Sequence, residues 1–222
     1  MIFNAPSSSQ LPQLQSLWQE AFGESMHSFV TTVYSEKRSL IAETEGQVAA
    51  ALYWFDLDYE GKPLAYLYAI ATFQKHRRQG IGKELLEAAH NHLKTLGYAG
   101  TILVPASESL FSFYEKCGYE KVIPGFSRKA EALVGEKVTW QTYAQARESL
   151  LPPGSCRHSE AAFRYLDTYC DFYVGENACL CVSREGKCQE ALPYTKEDRP
   201  FALFLPLEEN IPTPSYFSLP ID

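Results

Sequence analysis

In the stretch Ala71-Thr72-Phe73-Gln74-Lys75-His76-Arg77-Arg78-Gln79-Gly80-Ile81-Gly82-Lys83, the end of a strand, a basic loop and the start of a helix follow one another. Upstream, the run from Pro63 to Phe73 is apolar on both alternating faces, the pattern of a central strand covered on both sides. Downstream, Ile81, Leu85, Ala89, Leu93 and Leu96 fall on one helical stripe, and Gly97 supplies the C-terminal stop. This order builds an anion site from backbone. Glycines let the chain turn tightly and bring a ligand close, and the free N–H groups and dipole of a helix N-terminus attract phosphate. Lys75, His76, Arg77, Arg78 and Lys83 gather positive charge here, in a chain whose net charge is -7.

Two well-known phosphate-binding loops compete for this pattern, along with an ordinary charged loop capping an amphipathic helix. A P-loop needs glycine where Arg77 stands and Ser or Thr after Lys83, where Glu84 stands. A dinucleotide fingerprint needs a third glycine at the position of Leu85. Named residues rule out both.

Working outward, Leu11, Leu14, Trp18 and Phe22 predict a helix after Ser9 that Gly23 closes, and a second helix starts from Ser25 with Phe29, Val33 and Tyr34 inward. Ser39 to Thr44 and Val48 to Asp58 read as strands of a hairpin turning at Glu45-Gly46, and Glu60-Gly61-Lys62 leads into the central strand. Ile102-Leu103-Val104 reads as a short buried strand ended by Pro105, and Glu108 to Lys116 as a short helix stopped by Gly118. Strand, helix, strand, helix implies a crossover unit, and so some parallel pairing in an otherwise antiparallel sheet. Past Gly135 the expectations are helices within Thr139 to Leu151 and Ser159 to Tyr173. Strands follow near Ala178 to Ser183, Lys187 to Leu192 and Phe201 to Leu207, and a Pro212, Pro214 and Pro220 tail lies irregularly on the surface.

The totals narrow the class. A chain of 222 residues buries roughly 70% of its unfolded surface, enough for a sizeable core without staples. Its longest apolar stretch, Leu64 to Phe73, falls short of the ~20 residues a spanning helix needs, and Met1 to Ser9 shows no secretory pattern. A cytoplasmic protein is therefore expected, with no membrane association. An excess of acidic over basic residues weighs against nucleic acid as a partner. Cys117, Cys156, Cys170, Cys179, Cys181 and Cys188 read as reduced thiols, and the two-residue spacing of Cys179 and Cys181 is not a zinc spacing. His90 and His92 diverge on their helix, so no metal is expected.

Arg77-Arg78-Gln79-Gly80-Ile81-Gly82 resembles the Arg/Gln-x-x-Gly-x-Gly/Ala signature of the GCN5-related N-acetyltransferases. Phe113-Tyr114-Glu115-Lys116-Cys117-Gly118-Tyr119 is similar to the family's later Phe-Tyr-x-x-x-Gly-Tyr segment, nearest to the enhanced-intracellular-survival type. The resemblance covers about residues 1–135. It implies an α+β fold, with a central mixed, mostly antiparallel sheet flanked by helices. Residues 136–222 then form a C-terminal α+β extension, in which the segment Phe201 to Leu207 resembles the closing strand of a reduced second half.

The resemblance also implies a mechanism, with acetyl-coenzyme A in a V-shaped gap between the strands ending at Thr72 and Val104. Backbone groups of Ile70, Ala71 and Thr72 would pair with the pantetheine arm. Those of Arg77, Arg78, Gln79, Gly80, Ile81, Gly82 and Lys83 would wrap the pyrophosphate. A primary amine, on a small molecule, would attack directly in a ternary complex, a backbone N–H near Ile70 or Ala71 would stabilise the oxyanion, and Tyr114 would protonate the leaving thiolate. By spacing alone, Tyr114 shares a stripe with Leu110 and Cys117 and reads as core before it reads as a proton donor; the family match reverses that order. No general base is assigned: Asp56, Asp58 and Glu43 are each either acceptor-binding groups or solvated strand ends. A noncatalytic coenzyme A module and a protein N-terminal or lysine acetyltransferase stay open as alternatives, as do a monomer and a homodimer.

Overall fold

The computed structural model describes residues 1–127 and 135–219. The chain opens with β1 (Ile2–Asn4), α1 (Leu11–Phe22) and α2 (His27–Thr32), followed by β2 (Ser39–Thr44), β3 (Gln47–Tyr59) and β4 (Lys62–Thr72). Then come α3 (Ile81–Thr95), β5 (Gly100–Leu103), α4 (Phe111–Glu115) and β6 (Lys121–Ser127). The extension contributes β7 (Glu136–Val138), α5 (Trp140–Leu150), β8 (Arg157–His158), α6 (Glu160–Leu166), β9 (Cys170–Val174), β10 (Cys179–Ser183), β11 (Cys188–Leu192) and β12 (Thr195–Pro206).

Turn chemistry fixes the first meander. Glu45 and Gly46 have φ of 51° and 75°, and Glu60 and Gly61 have 53° and 78°, so both two-residue hairpins are left-handed throughout and match the strand twist. Gly23, at φ 75°, ends α1 where the sequence places its stop.

The large sheet runs β1-β2-β3-β4-β5-β12-β6, with β8 continuing the β3 edge. Among the described residues only β4 and β5 pair in parallel in it, and α3 makes the crossover. The mixed, mostly antiparallel expectation holds. A second sheet, β11-β10-β9-β7, is antiparallel throughout.

Packing does not divide at residue 135. Strand β12 inserts between β5 and β6, pairing Leu203 with Leu103 and with Val122. One buried cluster unites Trp18, Phe29, Tyr53 and Tyr66 with Tyr165, Phe204, Ile211 and Phe217. A second core, on the α3 side, holds Leu85, Leu93, Leu103, Tyr114 and Leu203, and a third lies within the extension around Tyr143, Phe163 and Phe172.

The helix expected within Ser159 to Tyr173 is α6, which ends at Leu166 before Cys170–Val174 pairs across Cys179–Ser183 as a strand. One expectation needs correction. The proline-rich tail is not a surface segment: Ile211, Tyr216, Phe217 and Leu219 are all buried. Prolines prevented a regular element, but the large apolar side chains between them still required cover. Pro220 lies outside the described residues. All six cysteines are free thiols, and Cys179 and Cys181 are both buried. Among the described residues no helix is long and apolar enough to cross a membrane.

Candidate active site

The parallel ladder between β4 and β5 is short. It runs from Leu64–Gly100 to Tyr66–Ile102, while β4 continues to Thr72 and β5 ends at Leu103. Past Tyr66 the two strands part. A bulge sharpens the parting, since Ala51 faces Ala71 but Tyr53 faces Tyr68, leaving one extra residue on β4. Ala69, inside this bulge, has φ of 49°, a conformation that costs an alanine about 1–2 kcal/mol.

The splay opens into a cavity of about 450 Å³. Tyr66 to Ile70 of β4 form one wall, Leu103 to Ala106 the other, and Trp18, Phe22, Leu110 and Tyr114 close it. Tyr114 is thus both partly core and cavity lining. It is 7% exposed, and burial, aided by nearby Cys117, pushes its phenol up to about 12. It therefore stays protonated at neutral pH. Ile70 lines the same cavity, whereas Ala71 and Thr72 lie further along β4.

The basic loop folds against the end of β4. Arg77 Nε donates to the Thr72 carbonyl (3.0 Å), and Gln79 Nε2 donates to the Lys75 carbonyl (3.1 Å). Arg78 and Gly80 have φ of 62° and 85°, and Gly80 is the N-cap of α3 without any side-chain hydrogen bond to it. Arg77 to Gly80 and Lys83 are exposed, whereas Ile81 is buried beneath the helix. A Cβ on Gly82 would lie 3.5 Å from Thr72 Oγ1 and 3.8 Å from Phe113 Cζ, so the missing side chain leaves a shallow cradle between α3 and β4. An uncapped helix tip with cations and a cradle at its first turn suits a diphosphate.

The carboxylates left open by the sequence are engaged elsewhere. Asp56 pairs with Arg38 and accepts from the Tyr98 hydroxyl (2.5 Å). Asp58 faces Arg157 at 3.6 Å, and Glu43 accepts from Gln10 Nε2 (2.6 Å). His90 is hydrogen-bonded to the Tyr119 hydroxyl (3.0 Å), and burial lowers its pKa to about 4. Sequence reasoning missed Glu24, the carboxylate residue that lines the cavity. Its signal was the Gly23 stop, which puts the next residue at a helix junction. Tyr68 was also missed: it lines the cavity, and its ring packs 6.3 Å between centroids from that of Tyr165 of the extension.

A mixed sheet splayed after one parallel pair, with an uncapped glycine-rich helix tip beside the splay, defines an acyltransferase class of fold. The chain belongs to the acetyltransferase (GNAT) domain family, whose description matches residues 4–122, a family of acetyl-CoA-dependent N-acetyltransferases. Among solved structures it is similar to a GCN5-related N-acetyltransferase from Anabaena variabilis ATCC 29413. The TM-score is 0.68 at 14% identity, over 93% of this chain and 73% of that one. It is also similar to a GCN5-related N-acetyltransferase from Kribbella flavida (TM-score 0.63, 16% identity, 89% of this chain and 57% of that one). A third is Eis1 from Mycobacterium abscessus (TM-score 0.61, 12% identity, 82% and 53%). The chain thus spans little more than half the length of the Kribbella protein and of Eis1. No curated protein matches it.

Proposed function

We propose that this chain transfers an acetyl group from acetyl-coenzyme A to a primary amine on a small molecule, by direct attack within a ternary complex. The observation that carries this reading is the splay beyond Tyr66 and Ile102, with Tyr114 on its wall and the uncapped tip of α3 at its side.

Acetyl-coenzyme A supplies the activated thioester. In this reading the main-chain N–H groups from Arg77 to Lys83 hold the diphosphate, and those of Ile70, Ala71 and Thr72 take the pantetheine arm as an added strand. The bulge at Ala69 turns neighbouring peptide groups off the ladder, which suits an N–H near Ile70 or Ala71 to stabilise negative charge as it gathers on the acyl oxygen. The amine loses its proton to water as it attacks, the C–S bond breaks as the tetrahedral oxyanion collapses, and Tyr114, on the wall of the splay, gives its phenolic proton to the departing sulfur. Residues 1–135 serve as the catalytic unit, with 136–222 supplying β12 to its sheet.

Thiol release over a panel of amines tests the reading. Tyr114→Phe is expected to lose most turnover while binding coenzyme A as before. Binding without turnover on any amine would instead indicate a coenzyme A sensing module.

A further inference from the structure

The splay connects the two faces of the large sheet. Tyr66 and Tyr68 of β4 pack with the cluster beneath α1, whereas Leu67 and Ile70 pack with the cluster beneath α3. The end of β5 divides in the same way, with Leu103 on the α3 face and Val104 on the α1 face. One cavity is lined by residues of both clusters. Leu110 and Tyr114 lie on its α3 side, the side of the uncapped helix tip, and in the acetyltransferase reading coenzyme A lies there. An amine that meets the thioester then comes from the α1 face.

On that face the cavity wall is open and apolar, with a single charge. Phe22, at the end of α1, is 44% exposed, the one exposed aromatic side chain among the described residues. It lines the cavity with its ring edge-on to buried Trp18, at 5.2 Å between centroids. Half-buried Tyr68 and Val104 continue the wall. Aromatic surface held open to water inside a cleft gains free energy when a ligand covers it. Glu24, exposed just beyond Gly23, is the only charged residue lining the cavity among the described residues. Arg184 and Lys187 share a neighbouring cavity with Glu24 but form no ion pair with it among the described residues. The Arg184 guanidinium donates instead to the carbonyls of Thr168 (2.7 Å) and Asp167 (3.0 Å).

We propose that the acceptor is a primary amine on a compact apolar body, aryl or branched alkyl, seated on the α1 face of the splay. This rests on the acetyltransferase reading above. Glu24 draws the ammonium form in from solvent, and the nitrogen sheds its proton to water as it advances to the thioester. The apolar body covers the Phe22 ring and the exposed part of Tyr68. A polyhydroxylated amine brings the same charge, but its hydroxyls exchange water for aromatic and aliphatic side chains, so the site discriminates against it. Phe22 thus sets specificity, and Glu24 acts on all amines alike.

The test is steady-state kinetics with 2-phenylethylamine, 3-methylbutylamine and glucosamine on the wild type, Phe22→Ala and Glu24→Gln, alongside calorimetric binding of coenzyme A. The wild type is expected to favour both apolar amines over glucosamine in kcat/KM by at least about tenfold. Phe22→Ala should narrow that preference at least about threefold. Glu24→Gln should raise KM for all three amines about two- to fivefold and keep the preference. Both variants should bind coenzyme A as the wild type does, because both positions lie on the α1 side. Should Phe22→Ala fail to fold, the wild-type preference decides alone. Equal or better turnover of glucosamine, a preference that Phe22→Ala leaves untouched, or a KM that Glu24→Gln does not move overturns this inference and leaves the acetyltransferase reading standing. Coenzyme A binding with no turnover of any of the three by the wild type overturns both.

Discussion

Phe204 covers Gly100: a Cβ built on that glycine would lie 2.5 Å from the Phe204 ring and 3.1 Å from the Leu205 carbonyl. The contact joins the first half of the chain to its last strand, where β12 lies directly on β5. Gly100→Ala is accordingly expected to destabilise the protein by about 1–3 kcal/mol through overpacking. Phe204→Ala, at a fully buried position, should cost about 3–5 kcal/mol. Urea denaturation measures both, and a cost below about 0.5 kcal/mol for either would show that β12 is a loosely held strand.

Gly82 separates cofactor binding from stability. A Cβ there meets its nearest neighbour at ordinary contact distance, so Gly82→Val should fold with little change in Tm. Its branches fill the cradle between α3 and Thr72, and affinity for coenzyme A should fall at least about tenfold, a loss of some 1.4 kcal/mol. Calorimetric titration with unchanged affinity would place the diphosphate elsewhere.

The extension is clamped by an ion pair with no access to water. Arg147 Nε donates to Glu190 Oε2 at 2.7 Å and Nη2 donates to Oε1 at 3.0 Å, and both side chains are fully buried. Tyr143 (2.5 Å) and Tyr216 (2.9 Å) donate to the same carboxylate, and so does the Ser218 hydroxyl. Burial pushes the Glu190 carboxyl up, but Arg147 and these hydrogen bonds outweigh it and leave the pKa below the ordinary carboxylate range. Glu190→Ala strands the guanidinium and should cost about 3–5 kcal/mol, whereas Arg147→Met with Glu190→Leu should recover much of that. Equal losses in the single and double variants would refute the account.

Acid should act through histidines. Burial lowers His90 and His158 to about 4, with the Arg147 charge adding to the effect on His158. Both folded values lie below the ordinary value near 6.5, so the unfolded chain binds more protons between about pH 4 and 6.5. Stability is fully present above that window and declines as pH falls through it, by on the order of 2–3 kcal/mol per histidine. His158→Gln keeps a donor toward the Ser218 carbonyl, which His158 Nε2 meets at 2.7 Å, and should flatten part of the slope. Melting curves at stepped pH check it, and an unaltered slope would count against His158.

The local features of the first half were legible because each has a short-range cause. Glycines mark the two hairpins and both ends of α3, and the double-faced apolar run of β4 marks the sheet centre. The Ala69 bulge was invisible, because alanine carries no signal for a positive φ. The cavity role of Glu24 and Tyr68 depends on Leu103 to Ala106 and on Tyr114, which face them only in three dimensions. The buried tail was misjudged for a related reason. Its cover comes from Tyr66 and His158, at 5.0 and 5.4 Å between ring centroids from Phe217, and no local pattern announces such partners.

The place of β12 in the large sheet has a consequence for biogenesis. Strands β5 and β6 emerge from the ribosome well before the strand that separates them, so the nascent sheet carries a slot with open edges until β12 follows. Premature pairing of those edges, with each other or with another nascent chain, competes with the correct insertion. Such a protein closes its large sheet late, and its yield in cells responds to chaperone supply more steeply than its equilibrium stability suggests.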